Sequence, residues 1–473
     1  MNAEYLVFVV IYFAAMLGIG IWVSRRVKGG DDYILAGRKV PFWLVVGGIV
    51  ATWVNSATLM GYGGMGYSVG IAGYWSGGAF MLMCTWMGWW MIPRLRRTGI
   101  VTIPELFERY FGVNHRIVAV LLVIGRDLGV TAGISIAMAM MFQFMFGVSL
   151  VTALAITLAV VLVYTLLGGM WAVMYTDLVQ SIIILIGTVL VIPLAVSALG
   201  GWSAMTSAIP ATHSQIMNAG IPQSAGWFLT GVLITAAYQT IIQRGLAAES
   251  DETAKKAFLY GGLITIVWYM VPFVIGTLGR TLYPDVAAGD IYLHMITHLK
   301  GPIWGAFFFT ALLASCMSTV DSCVLTVSSN LANDIYKRLV NPKISEQGLI
   351  TVQRVCVVVV AVAAVVIGRT LPMVLELFWV GGRIMAAALA PVLIALVFWP
   401  KARRCRVTTM AAMLMGSGFT VYQQFFGAKY EAGTAFLWRM DPILMGFPIA
   451  TAVLIIGVLL ETRRLDKRYS HPA

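Results

Sequence analysis

The chain has 473 residues, of which 60% are hydrophobic and only 11% charged; a water-soluble protein carries about a quarter charged residues. Apolar runs of about 20 residues recur from end to end, so soluble classes are excluded and 1–473 reads as one all-α polytopic membrane domain. The formal charge of +12 raises nucleic acid as a partner, but where the charges fall excludes it, as the elements show.

Thirteen spans are predicted, at 4–24, 40–69, 72–93, 116–146, 149–167, 170–199, 224–243, 257–279, 303–335, 350–369, 372–399, 407–426 and 441–461. With the N-terminus outside, most Lys and Arg fall on the cytoplasmic side, in "SRRVKGGDDYILAGRK", "RLRR", "KARRCR" and "TRRLDKRY", while Arg280, Lys300, Arg369, Lys429 and Arg439 fall outside. That is the positive-inside asymmetry: the basic charge sets orientation.

The first span lacks a basic n-region and a cleavage site and reads as retained. The second, "VPFWLVVGGIVATWVNSATLMGYGGMGYSVG", holds Asn55, Thr58 and glycines at 61, 63, 64 and 66. Each glycine weakens a helix by about 1 kcal/mol, and broken backbone survives at membrane depth only where it is buried or lines a cavity. The seventh, "WFLTGVLITAAYQTIIQR", is interrupted near Tyr238 and Gln239. Spans two and seven stand five apart, and interrupted helices at matching places in two halves point to an inverted-repeat transporter. The repeats are 40–200 and 224–400, with 1–27 an extra helix and 405–473 two extra helices and a tail. The polar loop 200–223 and "DVAAGDIYLHMITHLK", a short amphipathic helix, lie over the outer face as a lid or as packed surface.

The ninth span carries "SCMSTVDS". Ser315, Ser318, Thr319 and Ser322 stand at i, i+3, i+4 and i+7, one stripe of a helix, with Asp321 at its border. An intramembrane carboxylate costs about 2.5–3.5 kcal/mol and marks an ion path, and hydroxyl oxygens beside it suit a hard monovalent cation. The alternative is close helix packing with hydroxyls bonded to carbonyls a turn back. Asp177, near the inner start of the sixth span, is a second acid: a partner for that site or an interfacial residue. Arg126 in the fourth span and Arg383 in the eleventh either grip a solute carboxylate through the guanidinium fork or form ion pairs with Asp127, Asp177, Asp321 or Glu376. Trp379 lies on the face of Arg383. Asn55, Thr58, Tyr238 and Gln239 contact solute near the midplane or satisfy the opened backbone.

Cys84, Cys316, Cys323, Cys356 and Cys405 show neither metal spacing nor a disulfide framework. His115, His213, His294, His298 and His471 sit near no triad or zinc spacing, so no enzyme is expected.

"DDYILAGRKVP", "GGMWAVMYTDLVQ", "QRGLAA" and "MSTVDSCVLTVSSNLANDIYK" together, in this order, resemble the sodium:solute symporter family, whose members carry proline, pantothenate, sialic acid, sugars and choline. The resemblance covers roughly 4–400. It implies the amino-acid transporter fold with two inverted five-helix repeats, sodium as the coupling ion, a small organic solute, a lipid-embedded chain acting as a monomer, and no obligate protein partner. It implies a principal sodium site from the carbonyls of Ala51, Val54 and Ser315 and the hydroxyls of Ser318 and Thr319. A second cation site, as in some members, would use Ser318, Asp321, Ser322 and Asp177, with sodium and proton both open at Asp321. Sialic acid carriers hold a substrate carboxylate with an arginine, so a carboxylate-bearing solute is expected over a cation. A sensor acting through a separate partner (the tail leaves no room for a kinase module), a proton-coupled carrier and an uncoupled facilitator stay as alternatives. A bacterial inner membrane is the expected location.

Overall fold

A computed structural model describes residues 3–370, 374–426 and 441–469. Among them there is no strand; the sole β feature is an isolated bridge between Val40 and Ala248. The helices that position the site are α1 (Ala3–Ser24), α2 (Phe42–Trp53), α3 (Ser56–Val69), α4 (Gly78–Trp86), α5 (Ile103–Phe111), α6 (Val113–Phe146), α7 (Leu150–Ala198), α8 (Ile221–Thr235), α9 (Gln239–Ala247), α10 (Asp251–Trp268), α11 (Met270–Leu282), α12 (Ile291–His298), α13 (Pro302–Ser329), α14 (Glu346–Thr370), α15 (Val374–Phe398), α16 (Arg406–Phe426) and α17 (Ile443–Tyr469).

Eight helices among the described residues are long and apolar enough to cross a membrane, or up to ten if each of two bent pairs is one span. The bent pairs are the breaks expected from sequence: α2 to α3 turns by 52° and α8 to α9 by 50°. α7 runs on through the expected boundary between 149–167 and 170–199, but Gly169 breaks it with φ 50°, ψ −135°. A Cβ there would meet the Tyr33 carbonyl oxygen at 2.5 Å, so glycine is required by conformation and by space. The third expected span is a relay of short pieces: a 3-10 turn Gly70–Ser76, α4, a π turn Met87–Met91 and a short helix Ile92–Arg97. Pro93 in the first turn of that last helix fits there, where its missing N–H is tolerated.

α13 is the central helix. Of its most apolar stretch 83% is buried inside the protein, against 33% for α1 and 28% for Ile443–Arg464. The outer ring therefore presents Leu, Val and Ile to lipid, as at Ile11, Leu121 and Val362. α3 lies against α11 with almost no side chain between them: a Cβ on Gly276 would stand 1.9 Å from the Gly63 carbonyl oxygen. Four of the five cysteines are buried and Cys356 is half-buried; all are free thiols.

Candidate functional site

At the first break Val54 leaves the helical region (φ −96°, ψ 81°) and Asn55 is extended. Asn55 then starts α3 through a reciprocal cap: the Thr58 N–H donates to Asn55 Oδ1 at 3.0 Å, and the Asn55 N–H donates to Thr58 Oγ1 at 2.9 Å. Caps of this kind contribute about 1 kcal/mol. Both side chains, expected at the solute, are thus engaged in closing a helix end; Thr58 also lines the cavity described below.

α13 passes this break with its hydroxyl stripe fully buried. The Ser318 hydroxyl donates to the Ala51 carbonyl at 3.1 Å and to the Ser315 carbonyl at 3.2 Å. The Thr319 hydroxyl reaches the Ser315 carbonyl at 3.5 Å. Ala51, Ser315, Ser318 and Thr319 are therefore brought together, with Val54 buried at the adjoining end of α2. The donor set is neutral oxygen only, which suits an alkali ion that must be released again.

Asp177, Asp321 and Ser322 converge one turn further along, around a cation the sequence reading did not name. Arg244 on α9 donates to Asp177 Oδ2 at 2.7 Å, to Ser322 Oγ at 2.6 Å and to the Gly48 carbonyl at 2.8 Å. Asp321 accepts from the Tyr164 hydroxyl at 2.6 Å and from Ser322 at 3.0 Å. The signal for Arg244 was present: "QRGLAA" puts an arginine at the end of the interrupted span, in a chain with two intramembrane acids.

The expected solute residues divide. A cavity of about 200 Å3 is lined by Thr58, Tyr62, Trp227, Thr230, Trp379, Arg383 and Asp441, among others. Thr230 is buried, and its hydroxyl has no hydrogen-bond partner among the described residues. Arg383 pairs with Asp441 at 2.6 Å and donates to Gln424 at 3.3 Å. Asp441 was not among its expected partners; Glu376 lies outside the residues whose side chains are described. A chain of ring contacts leads away from the Trp379 wall: Trp379 packs on Phe80 (5.9 Å between centroids), Phe80 on Trp53 (4.8 Å) and Trp53 on Tyr238 (5.4 Å).

Tyr238, at the end of that chain, does not line the cavity; the Arg126 guanidinium stands 3.8 Å from its ring centroid. Arg126 forms a fully buried ion pair with its neighbour Asp127, whose other oxygen accepts from Thr240 at 3.1 Å. Gln239 donates to Asn330 at 3.1 Å and accepts from the Ile103 N–H at 3.3 Å, and it does not line the cavity. Arg126, Tyr238 and Gln239 are thus buried and engaged away from the cavity lining, whereas Trp379 and Arg383 belong to it.

Two broken helices, an oxygen niche where one break meets a central helix, and a cavity on one side of that niche define a helical secondary transporter. A family model described as the sodium:solute symporter family matches residues 33–416; the chain belongs to that family. It is an integral membrane protein that couples movement of a small-molecule solute to sodium, and it is not an enzyme. The chain is 27% identical over 408 residues to a sodium/glucose cotransporter of Vibrio parahaemolyticus, covering 76% of this chain and 74% of that one. Against sodium/glucose cotransporter 4 of Danio rerio it is 27% identical over 407 residues, 76% of this chain and 61% of the relative. High-affinity choline transporter 1 of Drosophila melanogaster is 25% identical over 421 residues, 85% of this chain and 68% of the relative. In fold the chain is similar to a Na+-coupled sialic acid symporter in an outward-open state, with a TM-score of 0.82, 19% identity and coverage of 97% and 98%. Mhp1, a nucleobase-cation-symport-1 family transporter in a closed conformation, aligns with a TM-score of 0.66 at 14% identity, covering 92% and 95%.

Proposed function

We propose that the protein imports a small carboxylate-bearing solute with sodium by alternating access, and that the solute is zwitterionic. The observation that carries this reading is the Arg383–Asp441 pair on the cavity wall. It offers a cation and an anion side by side, so a solute carboxylate and ammonium can each replace one half of the pair. Aromatic faces of Tyr62 and Trp379 and the open Thr230 hydroxyl supply the remaining contacts.

The principal sodium site comprises Ala51, Val54, Ser315, Ser318 and Thr319, with the Ser318–Ala51 contact its strongest support. Each sodium ion crossing about 100 mV supplies about 2.3 kcal/mol. Asp177, Asp321 and Ser322 form a second cation site only for an ion, sodium or proton, that enters beside Arg244. The architecture we propose is thirteen crossings: Gly169 divides α7, α10 with α11 makes one crossing, and α16 adds another. Spans two to eleven form two inverted repeats, and the N-terminus lies outside because the opposite face is rich in Lys and Arg. The carrier acts as a monomer in lipid, without an obligate protein partner, in a bacterial inner membrane.

A second reading is a neutral polyol, favoured because Arg383 already has Asp441 as its counter-charge. A thermal-shift screen in sodium against potassium, over amino acids, organic acids, vitamins, sugars and quaternary amines, separates the two. A sodium-dependent shift with amino acids supports the zwitterion; shifts confined to sugars remove it.

A further inference from the structure

On the face opposite the start of α1, three elements leave a cleft of about 270 Å3 between the helix Ile92–Arg97, α5 and the end of α15. Its charged lining is basic throughout: Arg94, Arg97 and Arg403, with the neutral hydroxyls of Thr98 and Tyr110, and no acidic side chain among the described lining residues. Three guanidinium groups held around one small space repel one another, and a pocket of that kind gains by taking an anion.

The arginines are placed by the fold. Arg94 donates to the Trp90 carbonyl at 2.6 Å, with its guanidinium 5.0 Å from the Phe398 ring centroid. Arg403 donates to the Leu396 and Val397 carbonyls at 2.8 and 3.4 Å and lies 5.5 Å from the Tyr110 ring. A guanidinium has more donors than these bonds use. Arg97 alone pairs with a carboxylate, Asp251 at 3.3 Å, and its side chain is 74% exposed. Among the described residues, the charges of Arg94 and Arg403 are therefore met by carbonyl dipoles and not by an acid.

The rim fixes the kind of anion. Trp89, Trp90 and Phe398 are 49%, 47% and 37% exposed, and exposed tryptophans beside arginines mark headgroup depth in a membrane protein. Basic pockets between helices on that side take anionic headgroups. We propose that the cleft binds the phosphate headgroup of an acidic phospholipid, held by Arg94, Arg97 and Arg403, with acyl chains lying along Phe398 and Trp90. The site is remote from the solute cavity and independent of the transport reading.

The test uses the full chain in nanodiscs of phosphatidylcholine with or without phosphatidylglycerol, read by thermal unfolding and by native mass spectrometry of retained lipid. The wild type is expected to retain one phosphatidylglycerol and to unfold at higher temperature when that lipid is present. Arg94→Gln with Arg97→Gln should weaken retention about thirtyfold, roughly 1 kcal/mol for each of the two charges near the surface. Arg403→Gln removes two carbonyl contacts that hold the end of α15, whereas Arg94 bonds one turn back near its own helix and Arg97 is largely exposed, so the Arg94 and Arg97 pair is the deciding variant. Undiminished retention by that variant overturns the proposal. So does displacement of the lipid by millimolar inorganic phosphate, which would assign the cleft to a soluble phosphate.

Discussion

The Ser318 hydroxyl meets the Ala51 carbonyl at 3.1 Å, joining the middle of α13 to the last turn of α2 beside the break. An oxygen from a continuous helix and one from an interrupted helix therefore share one small space. On the sodium site proposed above, an ion held between them would tie the two elements together, the differential contact by which cation binding shifts a conformational equilibrium.

Removing either hydroxyl should act on sodium before it acts on solute. Ser318→Ala and Thr319→Ala are each expected to raise the sodium concentration for half-maximal uptake about tenfold, as loss of one buried oxygen contact of about 1–2 kcal/mol implies. Sodium titrations of uptake in proteoliposomes measure it. Unchanged sodium dependence in both variants would sink the site assignment.

For the zwitterion reading, Arg383→Gln and Asp441→Asn should each weaken solute binding by about 2–3 kcal/mol, or roughly 30–150-fold. Sodium-induced stabilisation without solute should survive, since the pair lines the cavity and not the oxygen niche. The sharper readout is selectivity. Arg383→Gln should discriminate against the carboxylate, and Asp441→Asn against the ammonium, when uptake of the solute is compared with its amide and its deaminated analogue.

Arg126 gives a prediction of the opposite kind. Asp127→Asn leaves a buried guanidinium without its carboxylate, which costs about 3–5 kcal/mol, while replacing both charges by neutral groups of similar size costs far less. The single variant should lose thermal stability, and the double variant Arg126→Met, Asp127→Asn should regain most of it. A double variant as unstable as the single one would mean that the pair serves more than charge balance.

His294 on α12, outside the crossings, titrates below the ordinary histidine value because it is partly buried and because His298 stacks on it at 4.0 Å. The folded protein thus favours the neutral ring. Its contribution to stability is present above the ordinary histidine pKa and is lost as pH falls through the depressed value. Titration of the His294 ring by NMR should show this depression, and His298→Gln should move the value upward. No change in His298→Gln would leave burial as the sole cause.

Much of the fold was legible because breaks have local chemistry. Asn55 and Thr58 stand three residues apart, the spacing of a cap, and the glycines after them announce a weakened helix. The stripe of Ser315, Ser318, Thr319 and Ser322 follows from helical period alone. What stayed hidden were partners fixed by packing between distant segments. Arg383 meets Asp441 58 residues away, and Arg244 meets Asp177 67 residues away. No spacing rule selects one acid over another across such gaps. Tyr164 was silent for the same reason: in an apolar helix a lone phenol reads as filler until Asp321 is seen beside it.

The thiol distribution makes this carrier convenient for spectroscopy. Four sulfhydryls are sealed in the interior and only Cys356 reaches the surface layer, and buried thiols react slowly. Replacing that single side chain leaves a quiet background, on which paired spin labels or fluorophores placed either side of the α2–α3 bend can report its angle during turnover.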